Sequence, residues 1–359
     1  MMQILQKRPA SLNIRAGKLA RQLIEKEGLQ ANFVDIVPGA AGGPKGLGIQ
    51  GLDQAIFGDF LTHAPQRRTL IGSSIGSWRF ASIAAWGAKE GTKRLAELYT
   101  HLYFHKNMSR QEVGKICHDM LLNLVQGKEQ HMVEHPDYHL TVISVKAQHI
   151  FQSDRSLPLL ASVAGIIGSN ALARRHNRLF MQRVISQPEM GPQFKVDDDF
   201  TTHYQPLNHG NVTSWLMASA SIPGVMAAIR NIPDAPKGSY RDGGLIDYHL
   251  DLPFQSQGIV LYPHFSDSIT PGWFDKMLKK RKANPENQAR TLLLSPSIEY
   301  LQSLPLGRLP DRKDFTLKGL DQKQRIQMWN RSIAESQRMG DEFLDMVQKQ
   351  NFPQWMQDL

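Results

Sequence analysis

Thr69-Leu70-Ile71 runs into Gly72-Ser73-Ser74-Ile75-Gly76 and then Ser77-Trp78, so a short β-prone segment turns through Gly-x-Ser-x-Gly into a stretch of helical composition. A strand-to-helix turn this sharp has room only for small residues two places either side of its centre, where Gly72 and Gly76 stand. It lifts the central hydroxyl clear of the backbone, which makes Ser74 the candidate nucleophile. Alone the motif is weak. Two further glycine-rich turns accompany it: Ala41-Gly42-Gly43-Pro44-Lys45-Gly46 upstream and Asp242-Gly243-Gly244 downstream.

The surrounding pattern predicts an α/β fold. Ala16, Leu19, Ala20, Leu23 and Ile24 recur at helical spacing over residues 14–28, with Gly28 as the stop. Phe33–Val37 reads as a buried strand, followed by the glycine loop and a helix through Leu47, Leu52 and Ile56. Thr69–Ile71 with Trp78–Trp86 repeats that order. Two successive strand-loop-helix units put both loops at the carboxyl ends of parallel strands, the edge where ligands gather. Leu140–Val145 is a third strand, and Arg183–Ser186 and Ile259–Tyr262 are weaker ones. Past residue 265 the composition shifts toward Lys, Gln, Pro and Arg. One helical face carries Ile326, Trp329 and Ile333, and another, beyond Gly340, carries Phe343 and Val347. The expected division is an N-terminal helical extension (1–32), a catalytic domain (33–265) and a helical C-terminal extension (266–359). The apolar run Leu157–Ala173 is shorter than a spanning helix and is expected to be a buried one; its sharper alternative is an acyl-pocket wall or interfacial lid.

Of 359 residues, 41% are hydrophobic and 21% charged, which excludes global disorder. Cys117 is the only cysteine, so no intramolecular disulfide or cysteine-based metal site exists. The N-terminus lacks the apolar run of a secretory signal, so a cytoplasmic chain, soluble or peripheral to a membrane, is expected. A net charge of +9, with clusters at Arg174-Arg175-Arg178 and Lys276–Lys282, favours anionic partners. Without aromatic interleaving to stack bases, nucleic acid is not expected, and an anionic membrane surface is the better reading.

Acyl transfer requires a nucleophile, a base and donors aimed at the developing oxyanion. The backbone N–H groups of Gly42 and Gly43 approach an anion closely because no side chain intervenes, and Lys45 adds positive charge. A phosphate-binding loop fails on detail: counted from Gly39, Pro44 precedes Lys45 where glycine is needed and Gly46 follows where Ser or Thr is needed. Asp242 is the candidate base, with Gly243 and Gly244 allowing φ > 0 and close approach to another backbone. A carboxylate is a poor base at its ordinary pKa, so a dyad without histidine needs a dry pocket.

These residues resemble the patatin-like phospholipase family, whose pattern is a Gly-Gly-Gly-x-Arg/Lys-Gly oxyanion loop, Gly-x-Ser-x-Gly, an Ala-Ser-x-Ala-x-Pro block and Asp-Gly-Gly/Ala. Ala41–Gly46, Gly72–Gly76, Ala218-Ser219-Ala220-Ser221-Ile222-Pro223 and Asp242–Gly244 follow in the family's order, over about Phe33 to Tyr262. The resemblance implies a three-layer α/β/α sandwich with a mainly parallel sheet and a lipid acyl hydrolase using a Ser74–Asp242 dyad, with no metal or other cofactor. Departures are Ala41 for the first glycine, Pro44 inside the loop, and Leu245–His249 without the family's asparagine and proline. The extensions receive no catalytic role.

Two alternatives compete. A Ser-Asp-His triad would use His264, just after the Ile259–Tyr262 strand. A catalytically silent membrane or acyl-chain binder is motivated by Ala41 and Pro44. Asp197-Asp198-Asp199 with His203 and His209 could suggest metal ligands, but an acidic run of this kind reads as a solvated loop and no His-Glu-x-x-His pattern occurs, so no metal is expected.

Overall fold

Residues 10–359 are described by a computed structural model. Among the described residues ten strands form one sheet: β1 (Leu12–Ala16), β2 (Val34–Gly39), β3 (Arg68–Ser73), β4 (Tyr138–Ala147), β5 (Met181–Gln187), β6 (Thr202–Pro206), β7 (Tyr240–Asp242), β8 (Ile259–Pro263), β9 (Thr291–Pro296) and β10 (Met356–Asp358). Their order is β10-β1-β9-β8-β2-β3-β4-β5-β6, with β7 pairing β4 off this path. Neighbours are parallel except β1 with β9, β4 with β5, and β4 with β7.

Successive residues of the inner strands point to opposite faces, and both faces are apolar, as buried sheets require. Leu70, Val142, Val184 and Leu261 join the larger core, which Phe80, Leu95, Leu121, Trp215, Trp329 and Phe343 supply from helices. Their neighbours Ile71, Ile143, Ile185 and Val260 pack with Phe194, Leu250 and Leu252 in a second cluster. Val145, Ala147 and Met181 pack with Leu159, Ile166, Phe200 and Phe274 in a third. The layers are unequal: helices dominate the first face, whereas the helix Ser156–Leu172 and irregular segments cover the second.

β2 and β3 are adjacent and in register, with Gly39 opposite Gly72, so the two glycine loops leave the sheet side by side. The helix Ile75–Trp86 follows β3 directly and is buried through Ala85. Its first turn touches the end of β2: a Cβ on Gly76 would lie 2.0 Å from the Gly39 carbonyl oxygen. Arg79, one turn on, donates from Nε (2.8 Å) and Nη2 (2.5 Å) to Asp53 of the short helix Gln50–Gln54, and both side chains are buried. That pair ties the helix after the first loop to the helix after the second.

Several expectations are corrected. Residues 12–16 form a strand because Leu12, Ile14 and Ala16 alternate inward, and the first helix starts at Lys18. The terminal segments are therefore not purely helical extensions: β1, β9 and β10 belong to the central sheet. The helix Gln337–Lys349 runs through Gly340, where a side chain would meet the Gly51 carbonyl oxygen at 2.4 Å. The helix Ser156–Leu172 is not buried but half open, burying only Leu159, Ser162, Ile166 and Asn170. Among the described residues no helix is long and apolar enough to cross a membrane.

Gly76→Ala tests the junction. Alanine gains roughly 1 kcal/mol of helix propensity, but its methyl has no space against backbone that cannot yield. A net loss of about 2–3 kcal/mol is expected, read as a lower midpoint in urea unfolding.

Candidate active site

Ser74 caps the helix Ile75–Trp86 and takes φ 55°, ψ −125°, a conformation that costs a non-glycine residue about 1–3 kcal/mol. Neighbouring hydrogen bonds hold it there. Ser74 N–H donates to Ser219 Oγ (2.8 Å), Ser219 Oγ donates to the Ile143 carbonyl of β4 (2.6 Å), and Ser77 Oγ donates to the Ser74 carbonyl (2.7 Å). Ser219 belongs to the Ala218–Pro223 block, whose positioning role sequence reasoning did not supply.

The same block holds the acid. Asp242 N–H donates to the Ser221 carbonyl (3.0 Å) at the end of β7, and Asp242 pairs with Ser144 of β4. Ser73 of β3 pairs with Ile143 of the same strand, so β4 braces both the Ser74 turn and the Asp242 segment. Gly243 and Gly244 do not adopt the positive φ that the sequence suggested. Close approach is their role: a Cβ on Gly243 would sit 2.3 Å from the Ile143 carbonyl oxygen. This lets the loop close over β4 and brings Asp242 beside the Ser74 side chain.

Both groups are 5% exposed. Burial pushes the Asp242 carboxyl up from the ordinary 3.8 to about 6; the Gly244 N–H (2.7 Å to Oδ1), Ser74, Arg312 and Lys276 hold it back. Its neighbours differ. Asp247 accepts from buried Arg183 Nε at 2.6 Å, Arg183 also reaches Asp198 at 2.7 Å, and Arg241 bonds Asp154 at 2.9 Å. Asp242 has no guanidinium within salt-bridge distance among the described residues.

On the third side, Ala41 N–H is occupied by the Tyr248 carbonyl (2.8 Å), which leaves the N–H groups of Gly42 and Gly43 as the loop's candidate donors. Gly43 opens the 3₁₀ turn Gly43–Ile49 with φ 58°. The first N–H groups of such a turn have no partner within it. Pro44 sits second in the turn, where a missing N–H costs nothing. Gly46 packs on Arg79 and Ile75.

Two cavities meet at Ser74. The smaller, about 160 Å³, is lined by Ala41, Gly42, Lys45, Ser74, Val163, Asp242 and Tyr248 among others. The larger, about 550 Å³, is mainly apolar, with Gly43, Ile75, Trp78, Leu102, Phe104, Val113, Val225 and Met226 in its wall. Trp273, Lys276, Asp311 and Arg312 border both. These residues follow position 265, in the segment given no role from sequence. The lysine cluster near residue 276 was the only signal. Lys276 lies 3.8 Å from the Tyr248 ring centroid; desolvation there, with like-charged Lys45 and Arg312, lowers it to about 8. Lys45 Nζ stands 3.6 Å from Asp311.

His264 is not brought to the site. It is fully buried, its Nδ1 faces the Ser266 backbone N–H (2.9 Å), and it borders neither cavity. Desolvation lowers it to about 3. The triad is thereby corrected: the imidazole packs with His249 and Phe265 just past the end of β8. Asp198 is engaged by Arg183, and His203 Nε2 by Gln182 Oε1 at 2.8 Å. Among the described residues no cluster of His, Cys, Asp and Glu is arranged to hold a metal.

Comparison with protein-family models and with curated proteins finds no match for the chain.

The raised carboxyl has a stability consequence. A group at about 6 in the folded state and 3.8 otherwise favours folding in its protonated form, so its contribution is full below about pH 4 and lost as pH rises through 6. Asp242→Asn is expected to gain on the order of 2–3 kcal/mol at pH 8. The gain should vanish near pH 3.5 in matched denaturant titrations.

Proposed function

We propose that the chain is a serine carboxylic-ester hydrolase acting on lipids, of the patatin-like phospholipase kind, working through a Ser74–Asp242 dyad. The observation that carries this reading is the meeting of a strained serine and a buried carboxylate without a guanidinium partner in the wall of the smaller cavity, with the larger apolar cavity reaching the same serine. Perturbed carboxylates in clefts mark functional sites, and Asp242 has the basicity that a histidine supplies elsewhere.

In this reading the Ser74 hydroxyl attacks the ester carbonyl carbon as its proton passes to Asp242. The carbonyl π electrons move to oxygen, and Gly42 and Gly43 N–H groups stabilise the negative charge. Collapse breaks the carbon–oxygen bond, and the departing alkoxide takes the proton back from Asp242. Water then attacks the acyl-serine ester, giving its proton to Asp242, and Ser74 recovers a proton as the fatty acid leaves. The larger cavity, within the 300–1,000 Å³ of small-molecule sites, suits the acyl chain. Lys45, Lys276 and Arg312 suit an anionic head group.

Hydrolysis of a medium-chain p-nitrophenyl ester tests the proposal. Ser74→Ala should lose at least about 10³-fold in kcat, and Asp242→Asn roughly 10²–10⁴-fold. Undiminished turnover in Ser74→Ala overturns the reading. A fluorophosphonate probe should label wild type at Ser74 and leave Ser74→Ala unlabelled. Because Asp242 must be anionic to accept a proton, kcat/KM should rise with pH through about 6 and then level. A profile flat from pH 5 to 8 would argue against Asp242 as base.

A further inference from the structure

We infer that the open face of the helix Ser156–Leu172, with the turn Trp273–Met277 beside it, docks on the surface of an anionic phospholipid bilayer; the inference rests on the lipid reading of the site. This helix has no charged residue in its length. A surface helix ordinarily turns polar residues outward. Here Leu157, Leu160, Ile167 and Leu172 are 51–81% exposed. Their spacing of three to seven residues lays them along one side, opposite the buried Leu159, Ser162, Ile166 and Asn170.

The patch extends beyond the helix. Asn170 Nδ2 donates to Asp275 Oδ1 at 2.8 Å, and Arg281 Nη1 donates to the Asn170 carbonyl at 2.8 Å, which fixes the turn against the helix. Trp273 and Met277 on that turn are exposed as well, as is Leu179 beyond the helix end. Contiguous apolar surface of this kind marks an interaction site.

Charge selects the occupant. Arg175 and Arg178 follow the helix, and Lys279, Lys280 and Lys282 follow the turn, all exposed. None of them has an acidic partner within salt-bridge distance among the described residues. An apolar stripe of leucines and tryptophan rimmed by free cations complements hydrocarbon beneath anionic head groups. The position fits as well: Val163 of the helix and Trp273 of the turn line the small cavity that reaches Ser74. A lipid drawn from the docked leaflet therefore enters along apolar side chains.

Vesicle co-sedimentation of the full chain carrying Ser74→Ala reads binding without hydrolysis. Phosphatidylcholine vesicles containing about 30% phosphatidylserine should bind at least roughly tenfold more tightly than phosphatidylcholine alone. Adding Leu157→Asp and Leu160→Asp should weaken binding at least roughly tenfold. Adding Lys279→Glu and Lys280→Glu instead should remove the phosphatidylserine preference. In the Ser74 background both pairs should keep the wild-type thermal midpoint and hydrolyse a soluble short-chain ester normally, since these residues lie outside the cavities. Equal vesicle binding with and without the aspartates overturns the docking face. So does a wild-type dimer that the aspartates dissociate, with no vesicle uptake. Vesicle binding with the expected variant pattern but no ester hydrolysis supports the docking face and overturns the Ser–Asp reading.

Discussion

The contact between Gly76 and the Gly39 carbonyl is the constraint on which the arrangement depends. Two strand-loop-helix units pack so tightly there that the end of one strand and the start of the other unit's helix share a space too small for a methyl group. The buried Arg79–Asp53 pair repeats the connection one turn deeper. Removing one partner of such a pair would leave an uncompensated charge in the core. Together they fix the spacing between the Gly42-Gly43 loop and Ser74, while β4 fixes Asp242 to the same frame.

Within that frame the chain treats its buried carboxylates unequally. Asp53, Asp247 and Asp314 each receive a guanidinium, and Asp242 does not. Strand alternation accounts for part of the difference: Arg241, next in sequence, points to the other side and is spent on Asp154. What remains near Asp242 is a backbone N–H, a hydroxyl and two cations at a distance. The carboxylate is thus left without a compensating charge in contact, at a cost in stability when it is ionised.

Much of this was legible in the residues. Runs such as Leu140–Val145 and Thr69–Ile71 are apolar on both faces and gave their strands; the glycines gave the turns, although Gly243 and Gly244 serve packing and not positive φ. The strand Leu12–Ala16 was misread because Ala16 also fits the helical spacing of the residues after it, and periodicity cannot divide a strand from a helix that follows within two residues. Lys276, Asp311 and Arg312 were invisible as site residues because only the tertiary fold brings the segment beyond 265 to the cavity mouth. The apolar composition of 157–172 was read as burial. Composition says that a helix avoids water, not what replaces the water.

One edge of the sheet has a consequence for how the molecule is made. Ile14 lies between Leu294 and Met356, so the first strand finds neither neighbour until nearly the whole chain exists. Synthesis delivers β2, β3 and β4 as a parallel core long before that edge can close, and contacts of such separation form last and slowly. During translation the amino-terminal strand waits with its Leu12, Ile14 and Ala16 face unpaired, and Lys276 and Arg312, which border both cavities at Ser74, arrive only with the final quarter of the polypeptide.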